Sequence, residues 1–274
     1  MSLLCATIGF VRRKVYWIAA VSVCVLVVPS LAGILVLAFA AHWLMASVTT
    51  AWDVRNVFII LAFQLSGLGL IVLLVNMSGI QSGTLERVCF TTAVTSVFVL
   101  FLVLRTVAVT YSHPLSSIGL TTARLWVNVW IGLGAAAVLL PISHGIEAVL
   151  VRQFGPSTFW HPKEQIARQS RGAHDLTLLL LSSAVLAPIS EEVFFRGFTF
   201  YTFKRRYGTV RAAALSSALF TVLHLDPLWF PPIYCVGVVL AFLYDWRQSL
   251  VAPMIAHAAF NATNVLTMYL WGQG

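Results

Sequence analysis

Charged residues are scarce in this chain: only 9% of its 274 residues are Asp, Glu, Lys or Arg, whereas 59% are hydrophobic. Soluble globular domains carry about 25% charged residues, so the composition excludes an ordinary soluble enzyme. The net charge of +8 comes from basic residues at the ends of apolar runs and in short loops, where they set topology and meet anionic lipid. It therefore does not indicate a nucleic-acid partner.

Cysteine is also sparse, and Cys5, Cys24, Cys89 and Cys235 include no CxxC pair. Most of them lie within apolar runs, so we expect small buried hydrophobic residues rather than a disulfide framework. The chain lacks H-E-x-x-H, the helical motif of many zinc hydrolases, and no G-x-S-x-G frames a nucleophilic serine.

Long apolar runs are what the chain has in abundance. Runs of roughly 20 apolar residues mark candidate membrane helices. We count about eight: 15–44, 57–77, 88–110, 125–150, 176–200, 210–225, 228–244 and 251–271. Because a backbone in lipid must satisfy its own hydrogen bonds, these runs predict an all-α, polytopic transmembrane bundle. A β-barrel would instead show alternating segments of about ten residues.

The sequence divides into three parts: N-terminal transmembrane helices (1–150), a polar loop (151–175) and a C-terminal block (176–274). The first apolar run is far longer than the h-region of a signal peptide, so we expect a retained helix. Within the loop, KEQIARQSR predicts a short interfacial helix. We expect a multi-pass protein of the plasma or inner membrane if the source is bacterial, and of the endoplasmic reticulum if it is eukaryotic.

Ionisable residues inside membrane segments cost about 2.5–3.5 kcal/mol each and indicate function by default. The stretch APISEEVFFRGF, 187–198, holds Glu191, Glu192 and Arg196. On a helix Glu192 and Arg196 are i and i+4, the favourable order for an ion pair. Glu191 is rotated by about 100° and lacks that partner. The simplest alternative is a helix end whose charges extend to the headgroups.

Two further i,i+4 pairs follow on the next segments: FTVLH, from Phe220 to His224, and HAAFN, from His257 to Asn261. Taken singly, a structural histidine or a hydrogen bond between helices explains each pair. Together with the glutamates they supply a carboxylate that takes a proton from water, an imidazole that assists and donors for an oxyanion. Hydrolysis of an amide needs these groups.

The three motifs E-E-x-x-x-R, F-x-x-x-H and H-x-x-x-N, in this order, resemble those of the CAAX-protease and bacteriocin-processing family of membrane-embedded glutamic endopeptidases. This family includes the type II CAAX prenyl endopeptidases and the lysostaphin-resistance-like proteins. The contexts APISEEVFFRGF and RQSLVAPMIAHAAFN are similar as well. The resemblance covers about residues 176–271 and implies that the 176–274 block is a peptidase core.

The resemblance implies four catalytic residues. Glu191 is expected to act as the general base that activates the attacking water, with His224 completing that activation. His257 and Asn261 are expected to stabilise the tetrahedral oxyanion.

Three further residues are expected to support the site. Glu192 and Arg196 hold its geometry, and Phe220 packs beside His224. The chemistry of the residues agrees, because a desolvated glutamate without an arginine partner is a better base than one that an arginine keeps ionised.

The resemblance implies no cofactor. Zinc, held by the histidines and glutamates, is the disfavoured alternative, since H-E-x-x-H is missing and Asn261 is a poor zinc ligand. The expected partners are the lipid bilayer and a protein or peptide substrate, prenylated or not. The residues leave two other functions open: a non-catalytic bacteriocin-immunity or scaffold protein, and a proton-coupled transporter, which would be expected to show repeats with broken helices in both halves.

Overall fold

The computed structural model describes residues 51–77, 84–155, 170, 172–224 and 229–271, and these form seven helices without a strand. The helices are α1 (Val54–Met77), α2 (Leu85–Arg105), α3 (Leu125–Phe154), α4 (Gly172–Tyr207), α5 (Thr209–Val222), α6 (Phe230–Arg247) and α7 (Val251–Trp271). A π-helical turn, Thr106–Thr110, extends α2, and a 3₁₀ turn, Leu115–Ile118, follows it. The prediction of an all-α, polytopic protein is confirmed.

The predicted count of about eight membrane helices is not confirmed. Within the described ranges, four helices are long and apolar enough to cross a membrane: α1, α2 with its extension, α3 and α4. Helix α5 has only 14 residues and rises about 21 Å, less than the hydrocarbon layer of about 30 Å. Helices α6 and α7 are not among these four. The predicted helix at 15–44 lies outside the described residues, as does most of KEQIARQSR.

The outer surface of the bundle is apolar. On α1 Met77 is 76% exposed, and on α3 Trp126 and Trp130 are 73% and 71% exposed. Side chains of this kind contact lipid in a membrane protein, whereas a soluble protein rarely leaves such a surface open. The chain is therefore a multi-pass membrane protein, and α4 is the most buried of its four candidate spans.

Helix α4 switches from α-helical to π-helical winding twice along its length. The segments Leu180–Leu186 and Val193–Phe200 are π-helical, and they flank an α-helical turn at Ala187–Glu192. Pro188 stands at the start of that turn and has no N–H to donate to the preceding turn. π-Helical turns inside α-helices occur frequently at functional sites. The two glutamates of the first motif thus lie between two π segments.

Small residues let the helices around α4 approach closely. A Cβ at Gly132 of α3 would fall 2.6 Å from the carbonyl oxygen of Ala252 in α7. A Cβ at Gly237 of α6 would fall 2.9 Å from the Cβ of Ser217 in α5. Close backbone approach through small residues is typical of helix packing in membranes. Glycines thereby bring α7 and α6, which carry groups of the site, into contact with their neighbours.

Candidate active site

An ion pair lies at the centre of the site. Arg196 Nη1 donates to Glu192 Oε1 at 2.8 Å, and the two side chains are 1% and 0% exposed. Arg196 Nη2 donates to the carbonyl oxygen of Gly237 at 3.1 Å, which ties α4 to α6. The guanidinium carbon also lies 4.7 Å from the centroid of the Phe220 ring, within cation–π range. Glu192 and Arg196 thus form the pair that their spacing predicts, and Phe220 packs on it.

His257 connects this ion pair to the other glutamate. Its Nδ1 lies 2.8 Å from Glu192 Oε1, and its Nε2 lies 3.7 Å from Glu191 Oε2. An ionised carboxylate only accepts hydrogen bonds, so Nδ1 is assigned the hydrogen and donates to Glu192. Glu192 therefore orients the imidazole and directs Nε2 towards Glu191.

Glu191 occupies a different environment from Glu192. Its side chain is 29% exposed, and it lines a cavity of about 340 Å³ together with Ser190, Phe194 and Phe195 of the same helix. Binding sites are usually concave and mostly apolar, with a few polar groups that fix the ligand. The structure thus places one glutamate in the buried ion pair and leaves the other at a cavity wall.

His224 and Asn261 adjoin this cluster. His224 Nδ1 lies 2.8 Å from the carbonyl oxygen of Phe220, and the two rings make an edge contact at 4.7 Å. The ring of Phe220 also contacts that of His257, with the centroids 5.9 Å apart. Asn261 Nδ2 donates to the carbonyl oxygen of Ser183 at 2.8 Å. Phe220 therefore links the two histidines, and Asn261 ties α7 to the first π segment of α4.

Within the part of the chain that the structure describes, no group of three or more His, Cys, Asp or Glu side chains is arranged to hold a metal ion. Glu192 Oε1 accepts hydrogen bonds from both Arg196 and His257, so these three side chains bond to one another. Removal of metal by a chelator tests the zinc hypothesis.

The sequence reasoning missed one wall of the cavity. Polar side chains of α1 and α2 line it together with Glu191: Gln64, Thr91, Thr92, Thr95 and Ser96. The signal was present, because TTAVTS (91–96) places hydroxyl groups at i, i+1, i+4 and i+5 of an otherwise apolar segment. Positions one turn apart share a helix face, so such a strip is identifiable before the structure is known.

Residues 173–263 match the family described as "Type II CAAX prenyl endopeptidase Rce1-like". A curated relative, "Putative membrane peptidase YdiL" of Bacillus subtilis (strain 168), is 30% identical over 93 residues, which are 34% of this chain. The chain spans about 38% of the length of that relative. No solved structure matches significantly. Residues 173–263 contain all seven predicted site residues, and the resemblance to the CAAX-protease family is confirmed over this part of the chain.

Proposed function

We propose that this protein is a membrane-embedded endopeptidase in which Glu191 activates water for attack on a peptide bond. The observation that carries the proposal is the different placement of the two glutamates. Glu192 is buried against Arg196 and His257, whereas Glu191 is 29% exposed, lines the cavity and lies 3.7 Å from His257 Nε2. A base must reach both water and substrate, and the position of Glu191 at the cavity supports this role.

In the proposed reaction Glu191 takes a proton from water while the water oxygen attacks the carbonyl carbon, with His224 assisting. The carbonyl π electrons move to the oxygen and form the tetrahedral oxyanion. As the C–N bond breaks, Glu191 passes the proton to the leaving amine. The reaction thus consumes one water and leaves Glu191 ionised again.

His257 and Asn261 are the proposed donors to the oxyanion. The Asn261 amide carries two hydrogens, so one remains for the substrate beside the bond to Ser183. His257 can donate from Nε2 when its ring is protonated, and Glu192 at 2.8 Å stabilises that positive charge. Donors held in place before the reaction are worth about 10²–10³ in rate each.

The proposed substrate is a peptide cut close to a membrane anchor, and the reaction is proposed to need no metal. The matched family is named after a prenyl endopeptidase, which makes prenylated C-terminal peptides the first substrates to test. Cleavage of unprenylated peptides of the same sequence shows how much the prenyl group contributes to turnover.

The test compares the purified wild type with Glu191→Gln in liposomes, using prenylated and unprenylated C-terminal peptides, with and without chelator. Glu86→Gln is the matched control, because Glu86 is an exposed glutamate in the first turn of α2. We expect Glu191→Gln to lower turnover by about 10²–10⁴, with Glu86→Gln and chelator having little effect.

Cleavage that survives Glu191→Gln contradicts the proposed mechanism. Activity that is lost with chelator and restored by zinc supports the metal alternative instead. A wild type that cuts no peptide favours the non-catalytic or transporter alternatives.

A further inference from the structure

Helices that precede the matched domain line one side of the cavity beside Glu191. Its second wall comes from α1, through Gln64 and Leu68, and from α2, through a face that runs from Val88 to Val99. The three motifs supply no residue of this wall, and the family match begins only at residue 173. The ligand that this wall binds therefore has to be inferred from its own side chains and not from the proposed role of Glu191 as a base.

Two polar atoms of this wall lack a hydrogen-bond partner among the described residues. Gln64 Oε1 and Thr95 Oγ1 are both buried and unpaired there. Thr91, one turn earlier on α2, behaves differently, because its hydroxyl bonds to the carbonyl oxygens of Arg87 and Val88 at 2.8 and 3.0 Å. An unpaired buried polar atom is uncommon and calls for a specific explanation. The side chains of Gln64 and Thr95 both line the cavity, so a ligand towards which they rotate can supply the missing partners.

The chemistry of the wall indicates the kind of ligand. The amide oxygen of Gln64 only accepts, so the ligand must present a donor, and Leu68, Val88 and Val99 require the rest of it to be largely apolar. A lipid acyl chain has no donor. A peptide main chain supplies one N–H donor per residue.

We propose that Gln64 and Thr95 bind the main chain of the substrate peptide beside Glu191. This inference rests on the proposed peptidase function and adds a substrate-positioning site from the N-terminal helices. Gln64 Oε1 accepts a main-chain N–H, and the Thr95 hydroxyl bonds to another main-chain group of the same peptide. Neither residue takes part in proton transfer.

The test measures cleavage of the best wild-type peptide by Gln64→Leu, Thr95→Val and the double variant. Thr177→Val is the matched control, since Thr177 is exposed on α4 and its hydroxyl bonds only within the helix, to the Ala173 carbonyl oxygen at 2.7 Å. Each hydrogen bond lost should lower kcat/KM by roughly 2- to 12-fold, mainly through KM. The thermal midpoints should stay the same or rise, because the atoms removed are unpaired in the structure without substrate.

A second measurement uses peptides that are N-methylated at single positions around the cleaved bond, which removes one main-chain donor at a time. At one position, N-methylation should lower the kcat/KM of the wild type roughly 2- to 12-fold. It should not lower the kcat/KM of Gln64→Leu any further. Such non-additivity identifies the pair of groups that interact.

Unchanged KM in both single variants, with the wild type active, overturns the inference and leaves the proposed function standing. Variants whose thermal midpoint and kcat both fall also overturn it, because such falls indicate that Gln64 and Thr95 support the fold. A wild type that cuts no peptide overturns both proposals.

Discussion

Substituting each of the two adjacent glutamates by glutamine should separate stability from activity. Glu192 has no exposure, and its Oε1 accepts from Arg196 and His257 at 2.8 Å each. Glu192→Gln leaves the buried guanidinium without this carboxylate, and breaking a buried pair in this way costs about 3–5 kcal/mol. Glu191 is 29% exposed and makes only a 3.7 Å contact. Glu191→Gln should therefore cost less than about 1 kcal/mol.

Thermal unfolding in detergent, followed by circular dichroism at one scan rate, measures the difference. A change of 1 kcal/mol moves the midpoint by about 2–4 °C in a chain of this size, so Glu192→Gln should lower it by roughly 6–20 °C and Glu191→Gln by a few degrees at most. Glu192→Leu combined with Arg196→Met should recover much of the loss, because a well-packed apolar pair can replace a buried ion pair. Equal midpoints for the two single variants would refute the electrostatic reasoning.

Two further predictions concern packing. Gly132→Ala should lower the thermal midpoint by the equivalent of about 1–3 kcal/mol, because the added Cβ meets the Ala252 carbonyl oxygen, whereas Gly134→Ala, with nothing within 4 Å, should stay within about 1 kcal/mol of the wild type. Equal shifts would contradict the close approach of α3 and α7. Phe220→Leu should cost about 1–2 kcal/mol through the lost contact with Arg196 and should also lower turnover. An unchanged midpoint would show that the ring does not stabilise the guanidinium.

The local part of the site could be predicted from the sequence because it depends on helical spacing. Glu192 and Arg196 are one turn apart on one helix, so their contact follows from local geometry. The contact between His257 and Glu192 joins residues 65 positions apart and depends on how α7 is rotated against α4. That rotation is set by tertiary packing such as the close approach at Gly132, which a single sequence does not specify.

The helix count and the winding of α4 were harder to predict for a different reason. Apolar runs mark candidate spans, but α5 and α7 are apolar because they pack in the bundle as well as facing lipid, and hydropathy does not distinguish these causes. Pro188 predicts a loosened helix, yet the positions of the π segments at Leu180–Leu186 and Val193–Phe200 depend on the neighbouring helices. Such segments arise where tertiary contacts compensate for poorer backbone geometry.

The length of α4 has a consequence for the depth at which a bond can be cut. Its 36 residues extend up to about 54 Å, well beyond a hydrocarbon layer of about 30 Å, and Lys204, Arg205 and Arg206 lie in its last turn. With this basic end at the headgroups, Glu191 lies at most about 20 Å further along the axis, which is within the hydrocarbon layer. If Glu191 acts as proposed, the cut bond lies inside the hydrocarbon layer, and both water and substrate have to reach it between the helices.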